Sequence, residues 1–365
     1  MGPYAAAVAR ESELWSPVVA DRPVETIFFG GGTPSLLPLE HMQTIVEGLR
    51  RRFEIMPGAE FSLEANPGTV ALEHLQGLRR LGFNRISFGV QSFHDEELRQ
   101  LDRIHDAREV EEAYVWAREA GFENVNLDLI YGLIGQSMES WQYNLETALR
   151  LGPDHLSLYA LTIEDGTPLA RDIARGKSEG PDPDLQADMF EWNRERLAPE
   201  GFHHYEVSNY ARDGCECAHN LVYWHNGDWL GLGAGAHSHM FDERFADASS
   251  PLRYIEAVEQ GSRVAPVPAA SYLVPPFPQI TYREPADRAR EMSETVILAL
   301  RLREGLDLAS FERRYGVPVA QAFEGPLAET LELGLTEVVE GRLRLPDAAV
   351  LLGDEAFLRF LPDTD

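Results

Sequence analysis

Between residues 24 and 198, short apolar runs of strand composition alternate with longer stretches of helical periodicity. This alternation limits the possible folds more than any other feature of the chain. Strands are expected at 24–29, 60–65, 84–89, 124–130 and 154–161, with a shorter one at 205–207 closing the series. Helices are expected over 38–53, 71–81, 95–101, 107–120, 138–150 and 184–198, with Gly82 and Gly121 stopping two of them. Consecutive strands joined through a helix cannot pair as hairpins, so they lie parallel with helices covering the sheet. The even spacing predicts an α/β fold built as a full or partial barrel. A doubly wound dinucleotide-binding sheet fits less well, because the glycines at 30–32 do not follow GxGxxG.

In such a barrel the loops beyond the strands' C-terminal ends gather at one mouth, where ligands bind. Phe28 and Phe29 run directly into Gly30, Gly31, Gly32, Thr33 and Pro34, so the first loop offers bare backbone and a single hydroxyl. Glu64, Gln91, Asp128 and Thr162 lie at or beyond the ends of later strands. Asp128 interrupts an apolar run, where an unpaired carboxylate would be expensive to bury, so it calls for a ligand or an ion pair. Arg103, between Asp102 and Ile104, reads by itself as an ordinary surface arginine.

Composition narrows the function. With 60 acidic and 32 basic residues the net charge is −28, which repels nucleic-acid phosphates. No segment reads as a signal peptide or a membrane span, and two cysteines make no disulfide framework, so a cytoplasmic, reducing location is expected. Cys215, Cys217 and His219 are close enough to hold a metal, yet a structural zinc site needs four ligands and a fourth is not evident. Imidazole is also a common ligand of haem iron, and the plain alternative for His219 is a histidine hydrogen-bonded within a loop. The glycine-rich run from Gly231 to His237 fits a packed turn and a ligand-facing loop equally well.

Beyond residue 240 the periodicity fades. Residues 241–285, with Pro266, Pro268, Pro275, Pro276 and Pro278, read as a Pro-rich connector between a barrel domain (1–240) and a C-terminal domain (286–365). That last domain is expected to hold helices at 288–302, 308–315 and 326–333 and strands at 337–339 and 343–345, a winged-helix-like appendage. Its acidity points to packing or partner binding instead of DNA.

Taken in order, FGGGTPS at 29–35, EANPGT at 64–69, NRISFGVQSF at 84–93, LDRIH at 101–105, DLIYGL at 128–133, YEVSN at 205–209, HNLVYW at 219–224 and LGLGAGAHS at 230–238 form a specific set. The set resembles the radical S-adenosylmethionine (AdoMet) family of oxygen-independent coproporphyrinogen III oxidases and their heme-chaperone relatives of the HemW type. The resemblance implies a partial (β/α)6 barrel whose mouth holds AdoMet beside a [4Fe–4S] cluster. It implies that Gly31, Gly32 and Thr33 lie against the methionine moiety, that Glu64, Gln91, Arg103 and Asp128 orient AdoMet, and that Thr162 is close by. HNLVYW matches the element typical of the chaperone branch, which implies a haem contact at His219 and transfer of haem to an acceptor protein. The oxidase branch would instead decarboxylate two propionates of coproporphyrinogen III.

The sequence departs from the family at two places. The strand and CxxxCxxC loop with which relatives open are absent, and Met1, Gly2 and Pro3 lead straight into the helix that normally follows the cluster loop. Cys215 and Cys217 cannot replace three cluster thiolates, so no metal ligand set is expected in this chain. Keeping Glu64, Gln91, Arg103 and Asp128 is hard to explain without AdoMet, and losing the first strand leaves a barrel edge unpaired. The sequence is therefore read as an N-terminally truncated chaperone, the alternatives being an oxygen-independent coproporphyrinogen III oxidase or a cluster-free haem-binding protein. Ile134 stands where the family usually has proline.

Overall fold

The computed structural model describes residues 1–261 and 274–362. In chain order, α1 (Gly2–Trp15), β1 (Val24–Phe29), α2 (Leu39–Arg52), β2 (Ile55–Ala65), α3 (Leu72–Leu81) and β3 (Arg85–Gln91) open the fold. They are followed by α4 (Asp95–Gln100), α5 (Ala107–Glu119), β4 (Asn124–Tyr131), α6 (Met138–Leu151), β5 (His155–Ala160), α7 (Pro168–Ala174) and α8 (Pro183–Leu197). The strands β6 (His203–His204) and β7 (Asn209–Ala211) complete a curled seven-stranded sheet of order β1-β2-β3-β4-β5-β7-β6. This is the partial-barrel topology expected from the alternation of strands and helices.

The chain divides into two compact units: residues 1–27, 37–60 and 217–365 in one, and 28–36 and 61–216 in the other. In the second unit β2, β3, β4 and β5 run parallel, with Glu64 paired to Ser87, Ser87 to Asn126, and Asn126 to His155. Leu63, Ile86, Val125 and Leu156 bury their side chains at the alternate positions. A strand presents successive side chains to opposite faces, so the same period of two that buries the leucines and valines aligns the polar residues on one face. Helix ends are fixed locally. Asp106 and Glu109 form a reciprocal capping box at α5, with bonds of 2.9 and 3.0 Å, worth about 1 kcal/mol. Trp141 of α6 is fully buried, and its indole N–H donates to Asn193 of α8 at 2.7 Å.

The strand expected at 205–207 is instead a turn. Tyr205 N–H donates to Asn209 and Asn209 N–H to Glu206, closing a tight hairpin whose second strand, β7, pairs antiparallel with β5. Isolated apolar residues gave the signal of a strand, but the hydrogen-bonding positions lie on either side of them.

In the first unit α9 (Ala218–Trp224) is followed by β8 (His237–Met240), β9 (Glu243–Asp247), α10 (Pro251–Gly261) and β10 (Ile280–Glu284). The three strands form an antiparallel sheet of order β10-β9-β8. Much of the stretch read as a connector is therefore regular structure, although Pro266 and Pro268 lie outside the described residues. Its core is Trp15, stacked on Phe245 at 5.3 Å and edge-on to Phe277 at 5.0 Å, a long-range packing that leaves no local periodicity. The C-terminal part holds α11 (Arg288–Leu300), β11 (Leu306–Asp307), α12 (Leu308–Tyr315), α13 (Val319–Ala322), α14 (Glu324–Glu332), β12 (Glu337–Val339), β13 (Arg342–Arg344) and α15 (Gly353–Arg359). Val296, Leu300, Phe311, Leu343 and Phe360 form its core. The two expected strands gain a third partner, β11, in the order β11-β13-β12, and α13 and α15 are helices beyond the three expected.

One buried cluster in this unit sets a pH dependence. Glu11 of α1 is fully buried and accepts from Tyr254 (2.5 Å), Gln279 (3.2 Å) and the backbone N–H of Gly233 (2.9 Å). Burial and the neighbouring Glu11 carboxylate push Asp247 up to about 10. A carboxyl raised this far holds its proton in the folded protein and releases it on unfolding at neutral pH. Its contribution is complete below the ordinary carboxylate range and is lost as pH rises toward about 10. Asp247→Asn cannot ionise, so its thermal midpoint should exceed the parent's at alkaline pH and vary less with pH. Parallel slopes for the two proteins in a pH series of melts would refute this.

Candidate functional site

The glycine loop after β1 is open backbone. Gly31 and Gly32 have φ of +79° and +64°, a region closed to most side chains, and a Cβ placed on either would meet no atom within 4 Å. These glycines are therefore not kept for packing. Glu64, at the end of β2, accepts from Gly31 N–H at 3.3 Å, and Asn66 donates to the Thr33 hydroxyl at 3.2 Å. Ser35 and Thr69 join the two loops at 3.0 Å.

Gln91 is brought in by a distortion of β3. The register slips between Gly89 and Gln91, a bulge that re-aims the following side chain, and Gln91 sits buried with φ +67°. A non-glycine residue held there costs about 1–3 kcal/mol, which the surrounding structure must offset.

A polar network that the sequence reading did not assemble lies beside these residues. Asn126 Nδ2 is 2.8 Å from Ser87 Oγ, 2.7 Å from Asp128 Oδ1 and 3.0 Å from Ser157 Oγ. Ser87 donates to the other Asp128 oxygen at 3.0 Å. His155 bonds Asn126 Oδ1 through Nδ1 (2.6 Å) and the Tyr205 hydroxyl through Nε2 (2.8 Å). An amide oxygen only accepts, so Nδ1 carries the proton and Nε2 accepts from Tyr205. Burial holds His155 well below its usual range, hence neutral. The signal was present in the sequence as polar residues at every second position of three strands: Ser87, then Asn126 and Asp128, then His155 and Ser157.

Electrostatically the site is short of positive charge. Burial pushes Asp128 up, opposed by its bonds from Ser157, Asn126 and Ser87, and burial together with the Asp128 charge pushes Glu64 up against the Gly31 N–H. Two carboxylates raised this way favour a cationic ligand. Arg103 follows Asp102 (φ +53°) in the turn after α4; it is exposed, and among the described residues its guanidinium has no ion-pair partner. Thr162, just past β5, is exposed and its hydroxyl makes a long 3.4 Å bond to Ala160 O. The structure thus brings Glu64 to the glycine loop and Asp128 into the strand network, while Arg103 and Thr162 stay on the surface. At 132–136 the turn holds without the family's proline, because Gln136 Oε1 accepts from Gly132 N–H at 2.8 Å.

His219 belongs to the other unit. It lies in the first turn of α9, whose N-terminus is capped by Glu60: the carboxylate accepts from Ala218 N–H (3.0 Å) and His219 N–H (3.2 Å), and Cys217 Sγ lies 3.7 Å away. Both ring nitrogens of His219 are engaged, Nδ1 with Thr26 Oγ1 and Nε2 with the Tyr223 hydroxyl, each at 2.8 Å. Cys215 and Cys217 form no disulfide, and burial pushes the Cys215 thiol up. Among the described residues no group of three His, Cys, Asp or Glu side chains could hold a metal. Among the described residues, the open glycine loop beside two raised carboxylates suits a cationic ligand, and Cys215 and Cys217 do not by themselves supply an iron–sulfur ligand set. The Gly231 turn resolves as packing: a Cβ there would fall 2.0 Å from His237 O, and one on Gly233 would fall 2.6 Å from the Tyr4 hydroxyl.

Residues 15–148 match the Radical SAM superfamily, and residues 286–352 match the HemN C-terminal domain. The class of protein is thus a radical-SAM barrel carrying a HemN-type C-terminal domain. The chain is 38% identical over 348 residues to the heme chaperone HemW of Mycobacterium tuberculosis (strain ATCC 25618 / H37Rv), spanning 95% of this chain and 83% of that protein. It is 33% identical over 341 residues to the heme chaperone HemW of Bacillus subtilis, spanning 93% and 86%. Among solved structures, coproporphyrinogen III oxidase (HemN) from Escherichia coli, described as a radical SAM enzyme, superposes with a TM-score of 0.79 at 26% identity, covering 98% of this chain and 82% of that one. The chain belongs to the HemW heme chaperone family.

Proposed function

We propose that this protein is a heme chaperone that binds haem and passes it to an acceptor protein. The observation that carries the reading is the identity to HemW chaperones across more than nine-tenths of the chain. The unit holding α9 takes the haem, with the His219 segment at the contact. In the other unit, Gly31, Gly32 and Thr33 bind the methionine end of AdoMet, and Glu64, Gln91 and Asp128 orient it. Arg103 and Thr162 join that shell when ligand is present, the guanidinium meeting the AdoMet carboxylate. Bound AdoMet would supply a sulfonium cation that offsets the two raised carboxylates. The protein works in the cytoplasm; among the described residues no helix is long and apolar enough to cross a membrane.

The test is a spectral titration with ferric haem, followed by mixing with an apo-haem protein. Stoichiometric binding and transfer of the Soret band to the acceptor are expected. Failure to bind haem would end the reading. The oxidase reading is favoured by the likeness to HemN, and it predicts protoporphyrinogen when coproporphyrinogen III is offered with AdoMet and a reductant. No conversion is expected.

A further inference from the structure

The helix α15 is apolar on two sides. Gly353, Ala356 and Phe360 turn inward and are buried. The opposite side carries Leu358, with Leu361 just past the helix end and Leu351 and Leu352 in the 3₁₀ turn Asp347–Leu352 that leads into it. These four leucines are between 49% and 61% exposed. Single exposed leucines are ordinary, but four within one turn and one short helix form a patch of the kind that marks an interaction site. The patch runs to the rim of a cavity of about 610 Å³, whose wall Leu361 shares with Trp229, Ile297 and Leu298.

The charges around the patch select what can cover it. Asp354 lies three residues after Leu351 and four before Leu358, so it shares their side, and among the described residues it has no ion-pair partner. Between residues 347 and 361 the acids are Asp347, Asp354 and Glu355, and the only cation is Arg359. That guanidinium is already bonded to Glu329 at 2.9 Å and to Glu355 at 3.2 Å. Helices that lie on membranes set Lys and Arg beside their apolar face to meet anionic lipid, and this face would be repelled by it. A second copy of the chain would bring acid against acid, with a net charge of −28 on each. A protein surface of apolar side chains ringed by lysine and arginine complements the patch. Resting on the chaperone reading, we infer that the leucine face of α15 is the docking surface for the haem acceptor, and that the acceptor's contact patch is apolar with a basic rim. Docking raises the local concentration of the acceptor, so hand-over proceeds as an intramolecular step.

The full chain is titrated with two fluorescent amphipathic helical peptides that share a leucine face, one with lysine and the other with glutamate at the polar positions, and with phosphatidylglycerol vesicles. The lysine peptide should bind about tenfold more tightly than the glutamate peptide, and the vesicles should not bind. Leu351→Ser combined with Leu358→Ser should weaken the lysine peptide by about tenfold, whereas Leu252→Ser, at an exposed leucine of α10, should change nothing. Asp354→Arg should narrow the preference for lysine, which keeps the test decisive if the leucine variant fails to fold. Apomyoglobin fused to the lysine peptide should take haem from the loaded parent about tenfold faster than plain apomyoglobin, and the leucine variant should show no such gain. Equal binding of the two peptides, binding that the substitutions leave unaltered, or tight binding to vesicles would overturn the docking face. So would a stable dimer of the chain that the leucine substitutions separate. A parent that binds haem but not the lysine peptide refutes this surface alone. One that binds the peptide but no haem refutes the chaperone reading, and the acceptor as occupant with it.

Discussion

Asp128→Asn should lower the affinity for AdoMet by about a hundredfold, because removing one member of a desolvated charge pair typically costs 2–5 kcal/mol. S-adenosylhomocysteine has no sulfonium charge and should lose far less. The physical basis is that Asp128 and Glu64 are both held above their ordinary range, by burial and, for Glu64, by the Asp128 charge as well. In the ligand-free protein each therefore keeps its proton to a higher pH than usual, and a cation must displace it. AdoMet affinity should accordingly rise with pH through this raised range, and the rise should flatten in Asp128→Asn. The stability sign runs the other way. A folded-state value above the unfolded one means that ionisation weighs against folding, so the stabilising contribution is present at low pH and lost as pH rises. Ligand-free Asp128→Asn should thus melt no lower than the parent at neutral pH. Calorimetric titration with both ligands at several pH values tests this; equal losses for the two ligands would refute the charge argument.

Asn126→Ala should be the most damaging single change in the barrel unit. The side chain is buried, donates toward Ser87, Asp128 and Ser157, and accepts from His155. Truncation leaves His155 Nδ1–H and one Asp128 oxygen without their partner in a place water reaches poorly. Each buried group so stranded costs about 1–3 kcal/mol, so a loss of about 2–4 kcal/mol in unfolding free energy is expected. AdoMet affinity should fall as well, since Asp128 loses a bond that favours its charged form. Denaturant melts and titration on the same sample measure both effects. A variant as stable as the parent would mean that the network contributes little to folding.

The fold was largely legible in the sequence because a parallel α/β sheet announces itself twice, in the alternation of elements and in the apolar period within each strand. Glycines and helix caps added punctuation. Less legible was everything held by contacts distant in sequence. The sheet formed by β8, β9 and β10 gave no periodic signal, since its core is assembled by Trp15, Phe245 and Phe277 from three separate segments. The turn at 205–208 looked like a strand because composition does not say which residue pairs with β5. At the site, the glycine loop and the carboxylates were readable as types, but the Asn126 hub required knowing the register of three strands.

What the sequence determined by itself was chemistry: bare backbone at Gly31 and Gly32, acid at Glu64 and Asp128, and an imidazole followed four residues later by a phenol. The tertiary structure decided how those groups are used. It bent β3 so that Gln91 turns inward, aligned Ser87, Asn126 and His155 into one hydrogen-bonded row, and set both nitrogens of His219 against Thr26 and Tyr223. The reason is physical. A residue's type fixes what it can donate, accept or ionise, but its partners and its desolvation come from segments that only folding brings alongside.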